Sequence, residues 1–248
     1  MEPPIFFAPP ENVDGERITL PPDESHHLSA VLRLKQSAIV VVVDGLGMAY
    51  RCEVVANDRS SATVHIHTQL RNFGEPAVRL TLAAGMSVGS KFDIVVEKGT
   101  ELGVKRFVPI ISEKSKIKFE DQRRAARRVA RLEKVALAAM KQCRRSYRPD
   151  ITTPTSVAGF LEETDHGSLN LVFHPSPKAV PLSDIEFDSQ TKRASLLVGP
   201  ESGFSNGEVD LAVQAGFRVV SLGPRILRAE TAGPVVSALV MQALGELR

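Results

Sequence analysis

The chain of 248 residues sets 31 Lys and Arg against 29 Asp and Glu, with 43% hydrophobic and 24% charged residues, the balance of a soluble globular protein of one large or two modest domains. It lacks the run of about 18 apolar residues that would span a bilayer, and its opening MEPPIFFAPPENVDGE has neither the basic start nor the apolar stretch of a signal peptide. Cys52 and Cys143 stand in no metal-binding spacing, so reduced structural thiols in a cytoplasmic protein are expected.

In chain order, residues 1–72 read as a small β-rich unit. A short helix is predicted over 24–32, because Leu28, Val31 and Leu32 share a face and Asp23 can cap it. Strands are predicted over 39–43, 51–56 and 62–67 from continuous or alternating apolar runs. Asp44-Gly45-Leu46-Gly47 between the first two makes a hairpin, since Asp and Gly tolerate the positive φ of tight turns. Residues 71–76, with Gly74 and Pro76, form a linker to a second domain over 73–248.

From residue 77 onward strands alternate with helices. Strands are predicted over 78–84, 107–111, 169–173, 195–198 and 219–222, and helices over 90–102, 122–142, 206–215 and 231–247. Ser205 and Glu208 stand in capping-box spacing at the third helix. Pro234 falls early in the last helix, where a missing N–H costs little. Such alternation predicts a mostly parallel sheet covered by helices on both faces.

The long helix opens a strong charge asymmetry. Residues 105–148 hold 15 Lys or Arg and 4 Asp or Glu, which leaves 16 against 25 in the rest. A basic segment on an otherwise acidic chain suits a polyanionic partner, and a solvated helix face is the alternative. Arg123, Arg124, Arg127, Arg128 and Arg131 recur at helical spacing, with Arg144, Arg145 and Arg148 beyond the helix. The three arginines Arg123, Arg124 and Arg127, with Arg144, Arg145 and Arg148, are the candidate phosphate contacts. Reversing Arg144 and Arg145 is expected to impair activity on RNA and spare cofactor binding. Tyr147 is a candidate for stacking on a base. Residues 1–72 are acidic, 6 Lys or Arg against 9 Asp or Glu, so charge alone gives that unit no grip on RNA.

Two predicted strands end in glycine-containing loops. LLVGPESGFS runs from an apolar strand through Gly199 and Gly203 into a capped helix, and SLGPRILRAETA runs from Ser221 and Leu222 through Gly223 to the last helix. Ligands of open parallel sheets bind beyond the carboxyl ends of strands, where glycine exposes backbone N–H and C=O groups. Either loop alone also suits a plain structural turn, with Ile226 and Leu227 as core and Arg225 paired to Glu230 at the surface. Together, about twenty residues apart in one sheet, they point to a site. His26, His27, His65 and His67 offer no third ligand, and no metal is expected.

These two motifs resemble the cofactor-binding signature of SPOUT methyltransferases of the RsmE type, which methylate N3 of a uridine in 16S ribosomal RNA. SHHLSAVLRL at 25–34, EKGTELGV at 97–104 and KQCRRSYRP at 141–149 agree with it. The resemblance implies an α/β protein with an N-terminal PUA-like β-barrel over 1–72 and a C-terminal SPOUT domain over 73–248 with a deep trefoil knot. It implies S-adenosyl-L-methionine as cofactor, 16S rRNA or the small ribosomal subunit as partner, and a homodimer formed through the last helix, where Val235, Val236, Leu239, Val240 and Leu244 recur at helical spacing.

Carried onto this sequence, the resemblance places the cofactor among three loops. Phe173 and His174 belong to the first, Gly199, Pro200, Glu201 and Gly203 to the second, and Ser221, Leu222, Gly223, Ile226, Leu227, Thr231 and Ala232 to the third. Arg228 and Glu230 face the transferred methyl as catalytic residues. Arg228 is expected to stabilise negative charge on uracil while Glu230 orients it or relays the N3 proton. The alternative places Glu230 as a helix cap. Ser202 stands where the family pattern has glycine. A SPOUT enzyme of another rRNA or tRNA base, and a non-enzymatic RNA-binding assembly factor, are the rival readings.

Overall fold

The computed structural model describes residues 2–87, 89–115, 121–164 and 168–247. The chain forms two compact units, Met1–Glu75 with Leu137–Arg148, and Pro76–Ala136 with Pro149–Arg248.

The first unit is built on strands β1 (Ile5–Phe7), β2 (Val13–Asp14), β3 (Arg17–Thr19), β4 (Ile39–Val43), β5 (Met48–Ala56) and β6 (Thr63–Arg71). They hydrogen-bond in the order β1-β4-β5-β6-β3-β2, a sheet curled into a half-barrel. The five-residue β-branched run of β4 is continuous because both its faces are covered. Val40 and Val42 pack with Phe6, Leu28 and Cys52, while Val41 and Val43 pack with Ala49 and Met140. Between β4 and β5 the predicted turn forms. The Asp44 carboxylate accepts the Leu46 and Met48 amides at 2.7 and 2.9 Å, and Gly45 and Gly47 take φ of 77° and 107°. That region favours glycine because a Cβ is strained there.

The first helix departs from expectation. Helix α1 (Pro22–His26) starts two residues early and continues as a π-helical stretch, His27–Val31. Its N-cap is Pro21, without a side-chain bond, and Asp23 lies inside the first turn. Pro22 needs no hydrogen-bond partner at N1, so it opens the helix better than an interior residue would.

The second unit contains β7 (Arg79–Gly85), α2 (Lys91–Glu101), β8 (Val104–Ile111), α3 (Gln122–Gln142, which ends in the first unit), β9 (Asp150–Ile151), β10 (Thr155–Ser156), α4 (Val157–Glu162), β11 (Leu169–Phe173), β12 (Val180–Pro181), β13 (Arg193–Val198), α5 (Asn206–Gln214), β14 (Arg218–Ser221) and α6 (Ala229–Ala243). The sheet runs β10-β8-β7-β13-β11-β14-β12, with β9 also on β8, and every pairing is parallel. β13 enters the gap between β7 and β11, and β14 the gap between β11 and β12.

Alternate residues feed two cores. Leu82, Leu171, Leu196 and Val198 meet Phe92, Val95, Leu132, Val236 and Val240 on one face. Ala83, Val172 and Leu197 meet Phe160, Phe204 and Ala212 on the other. Such two-sided burial is why these strands read as unbroken apolar runs. The last helix begins at Ala229, so Pro234 is its sixth residue and lies beyond the first turn. The Glu230 carbonyl therefore loses its helical donor, which corrects the sequence-based reading of that proline.

Candidate functional site

The register of the second sheet sets the site. Phe173 at the end of β11 pairs with Val198 of β13 on one side and Val220 of β14 on the other. The loops after these three strands therefore leave one edge of the sheet at one level, side by side. His174 continues the first loop, its amide donating to the Val220 carbonyl at 3.2 Å and its ring 6.5 Å from that of Phe204. Burial, then the charge of Lys114, holds the His174 imidazole below the ordinary histidine range, so it is neutral at pH 7.

In the second loop Gly203 donates to the Pro200 carbonyl at 2.8 Å and takes φ 69°. Glycine is needed at that residue, and the neighbouring Ser202 is exposed, so its side chain fits without strain. Pro200 is buried over Gly85, where an added Cβ would lie 2.1 Å from the Pro200 nitrogen. Lys114 donates to the Phe204 carbonyl at 2.9 Å. The capping box forms as expected, and Glu208 does more than cap: its other oxygen accepts the Glu113 amide at 2.9 Å. Gly85, Lys114 and this second bond of Glu208 escape a reading of the sequence, because each acts across strands.

In the third loop the Gly223 amide donates to Ser221 Oγ at 3.1 Å, with φ 96° and open space beside its Cα. Leu222 and Leu227 are half-buried, while Ile226 is 89% exposed. Ile226 therefore is not core and does not wall a slot in this conformation; Pro224 and Arg225 beside it are exposed as well. Arg228 is the N-cap residue of α6, and its carbonyl accepts the Thr231 and Ala232 amides at 2.9 and 2.8 Å. Thr231 is exposed and Ala232 half-buried.

A cavity of about 610 Å³ opens against this loop, within the size range of small-ligand sites. Ser221, Leu222 and Gly223 line it together with Leu182, Ile185 and Phe187 after β12 and Leu239 of α6. Its walls are mainly apolar, with Ser183, Ser221 and the Gly223 backbone among them, a lining that suits a flat heterocycle. No residue of Gly199–Gly203 lines it.

Charge links the second and third loops. Lys91, the first residue of α2, pairs with Glu201 and lies 4.0 Å from Glu230 Oε1. Glu230 does not cap α6: it sits in the first turn with its side chain 15% exposed, and its Oε2 is buried with no partner among the described residues. Among the described residues its ion-pair partner is Lys91, not Arg225.

The candidate phosphate contacts divide. Arg123, Arg124 and Arg127 are exposed on the first turns of α3. Arg128 donates to the Gly89 carbonyl at 2.6 Å, and Arg131 reaches Asp93 at 2.5 Å, so these two brace α3 on α2. In the first unit Arg148 is exposed, and Arg144 pairs with Glu2 at 2.9 Å while lying 6.0 Å over the Phe73 ring. Arg145 is not a phosphate contact. Its side chain is 3% exposed and donates to Glu75 at 2.8 Å, while Glu75 also accepts the Ser146 and Tyr147 amides. Reversing it would strand a buried carboxylate, so the paired reversal expected to spare cofactor binding would disrupt the unit instead. Among the described residues no three His, Cys, Asp or Glu are grouped to hold a metal, and no helix is long and apolar enough to cross a membrane.

Comparison with known proteins identifies the fold and the family. The RNA methyltransferase domain model matches residues 74–241, and the RNA methyltransferase PUA domain model matches residues 20–66. The ribosomal RNA small subunit methyltransferase E of Aquifex aeolicus is 31% identical over 96% of this chain and 98% of its own. The structure of that enzyme from Neisseria gonorrhoeae bound to S-adenosyl methionine superposes with a TM-score of 0.86 at 29% identity, covering 97% of this chain and 98% of the other. A Legionella pneumophila structure with bound SAM gives a TM-score of 0.86 at 28% identity over 98% of both chains.

Proposed function

Since the chain belongs to the RNA methyltransferase family of the ribosomal RNA small subunit methyltransferases E, we propose that it transfers the methyl group of S-adenosyl-L-methionine to N3 of a uridine in 16S ribosomal RNA. The observation that carries this reading is the shared level of Phe173, Val198 and Val220, which sets three ligand-type loops side by side at the carboxyl edge. A deep knot in the second unit, a homodimer through α6 and a cytoplasmic location belong to the same reading, while the boundary expected at residues 72 and 73 falls after Glu75, and Leu137–Arg148 returns to the first unit. Of the residues expected at the dimer face, Val236 and Val240 are buried in the unit's own core, while Leu239 is half-exposed.

The residues present fit the cofactor. Gly223 leaves open space where any other side chain would stand, and Leu222 with Ile185 and Phe187 offers an apolar wall for a purine. Gly199 and Gly203 follow β13, one strand removed from β14 across β11. When bound, S-adenosylmethionine supplies a methyl group on a sulfonium, an electrophile whose leaving group needs no proton.

The chain's own task lies with the nucleophile, because uracil N3 is a weak acid that carries its proton at neutral pH. Arg228, exposed at the head of α6, stabilises negative charge developing on the uracil oxygens. Glu230, its side chain shielded from water and its Oε2 without a partner among the described residues, orients Arg228 or accepts the N3 proton. Burial and the charge of Lys114 lower the His174 pKa, which would disfavour a positive charge at the first cofactor loop. Arg123, Arg124 and Arg127 hold phosphates without reading sequence.

The test is mass spectrometry of 16S rRNA from a strain lacking the gene. Loss of one N3-methyluridine, restored by the wild-type gene and not by one encoding Glu230→Gln, supports the proposal. Unchanged rRNA methylation in the deletion strain refutes it. Purified Glu230→Gln protein should bind S-adenosylmethionine with wild-type affinity; full turnover in that variant would remove Glu230 from the mechanism.

A further inference from the structure

We infer that Lys91 is a positioning residue for methyl transfer, its ammonium tying the Gly199–Gly203 loop to the head of α6 through Glu201 and Glu230. The inference rests on the functional reading above and assigns work to a residue outside the three loops.

Nothing local explains a lysine at this position. Lys91 is the first residue of α2, and the amino end of a helix carries partial positive charge that disfavours a cation. Asp93 in the same turn suits the dipole, but it is engaged by Arg128 and Arg131 of α3. What compensates Lys91 is one carboxylate from each of two loops, Glu201 after β13 and Glu230 at the start of α6. The hydrogen bond to Glu201 pushes the Lys91 pKa up, against desolvation and the nearby Arg228.

The two acidic partners are not equivalent. The Glu201 side chain is 51% exposed and the Glu230 side chain 15%, with Glu230 Oε2 buried and unpartnered among the described residues. Without Lys91 the shielded Glu230 carboxylate would lose its ion-pair partner among the described residues, and the loop bearing Glu201 would lose its tie to α6. Partly exposed ion pairs of this kind add little to global stability. Their value lies in geometry, because displacing reacting groups by about 1 Å can cost about 100-fold in rate. A residue that only braced the fold would give the opposite pattern, a large loss of stability with little change in turnover.

Lys91→Met keeps the aliphatic stem and removes the charge, and Lys91→Arg keeps the charge. In the full-length protein Lys91→Met should lower kcat by about 10- to 100-fold, while KM for RNA changes by less than about 3-fold and the unfolding midpoint by less than about 3 °C. Lys91→Arg should recover kcat to within about 5-fold of wild type. A second readout needs no cofactor. In the cofactor-free protein, amide hydrogen exchange over 199–205 and 222–230 should quicken together in Lys91→Met and return in Lys91→Arg. Exchange that quickens in one segment alone, or a Lys91→Met enzyme as fast as wild type, overturns the assignment of Lys91 and leaves the functional reading standing. A wild-type protein that neither binds S-adenosylmethionine nor methylates rRNA overturns the functional reading, and the role of Lys91 in methyl transfer with it.

Discussion

Gly85→Ala tests whether the loop after β13 is placed by close backbone packing. Gly85 ends β7 beside β13, and its φ is not in the left-handed region, so alanine meets no backbone strain. The added Cβ would lie 2.1 Å from the Pro200 nitrogen, 2.4 Å from its Cδ and 2.6 Å from its Cα. Ordinary contact begins at 3.4 Å, so the Pro200 backbone must retreat by about 1.3 Å. Pro200 opens the loop that holds Glu201 and Gly203, and a shift of that size in a substrate-positioning segment costs about 100-fold in turnover. Overpacking adds roughly 1–3 kcal/mol of lost stability. Gly207→Ala is the matched control: in the first turn of α5 its Cβ would meet nothing closer than 3.8 Å, and alanine favours the helix by up to about 1 kcal/mol. Urea denaturation and single-turnover methylation of both variants read the contrast. Wild-type turnover and stability in Gly85→Ala would refute the argument that this glycine places the loop.

Other variants test the remaining assignments. Arg145→Met should cost about 3–5 kcal/mol in urea unfolding by leaving Glu75 buried without its cation; a loss under about 1 kcal/mol would show that the backbone amides alone satisfy Glu75. His174 has its folded-state pKa lowered, so its contribution to stability is complete above its unfolded value of about 6.5 and is lost as pH falls through the depressed value. An NMR titration of His174 should therefore give a midpoint below 6.5, and a midpoint at or above it contradicts the burial argument. Replacing Arg123, Arg124 and Arg127 by alanine should flatten the log–log salt dependence of RNA binding by about 2 with affinity for S-adenosylmethionine unchanged. An unaltered slope would remove these arginines from the RNA surface.

Legibility followed the range of the interactions. α3 and β11 lie where the sequence places them, because a long amphipathic run and a compact apolar run each define themselves locally. The capping box at Ser205 and Glu208 is local too. The two-residue strands β9, β10 and β12 carry too few residues to show a period. Strand order is a long-range property: nothing in the apolar run of β13 says that it enters between β7 and β11. The end of α3 reads as part of one basic helix, yet Leu137 and Met140 cover the reverse face of β4. Arg145 misleads for a related reason. In a run of arginines it looks solvated, and its partner Glu75 lies seventy residues earlier. At the site, glycines that expose backbone in their own loop were legible, whereas Gly85, which yields space to another loop, and Lys91, which serves two, were not.

The account depends on the loops after β13 and β14 acting as one receptor for an adenosyl compound. Titrating 15N-labelled protein with S-adenosylmethionine reads this directly, because glycine amides resolve well and Gly199, Gly203 and Gly223 report on the two loops. All three resonances should move along one binding isotherm with a single dissociation constant. Movement of Gly223 alone, with Gly199 and Gly203 unchanged at saturation, would contradict a shared site.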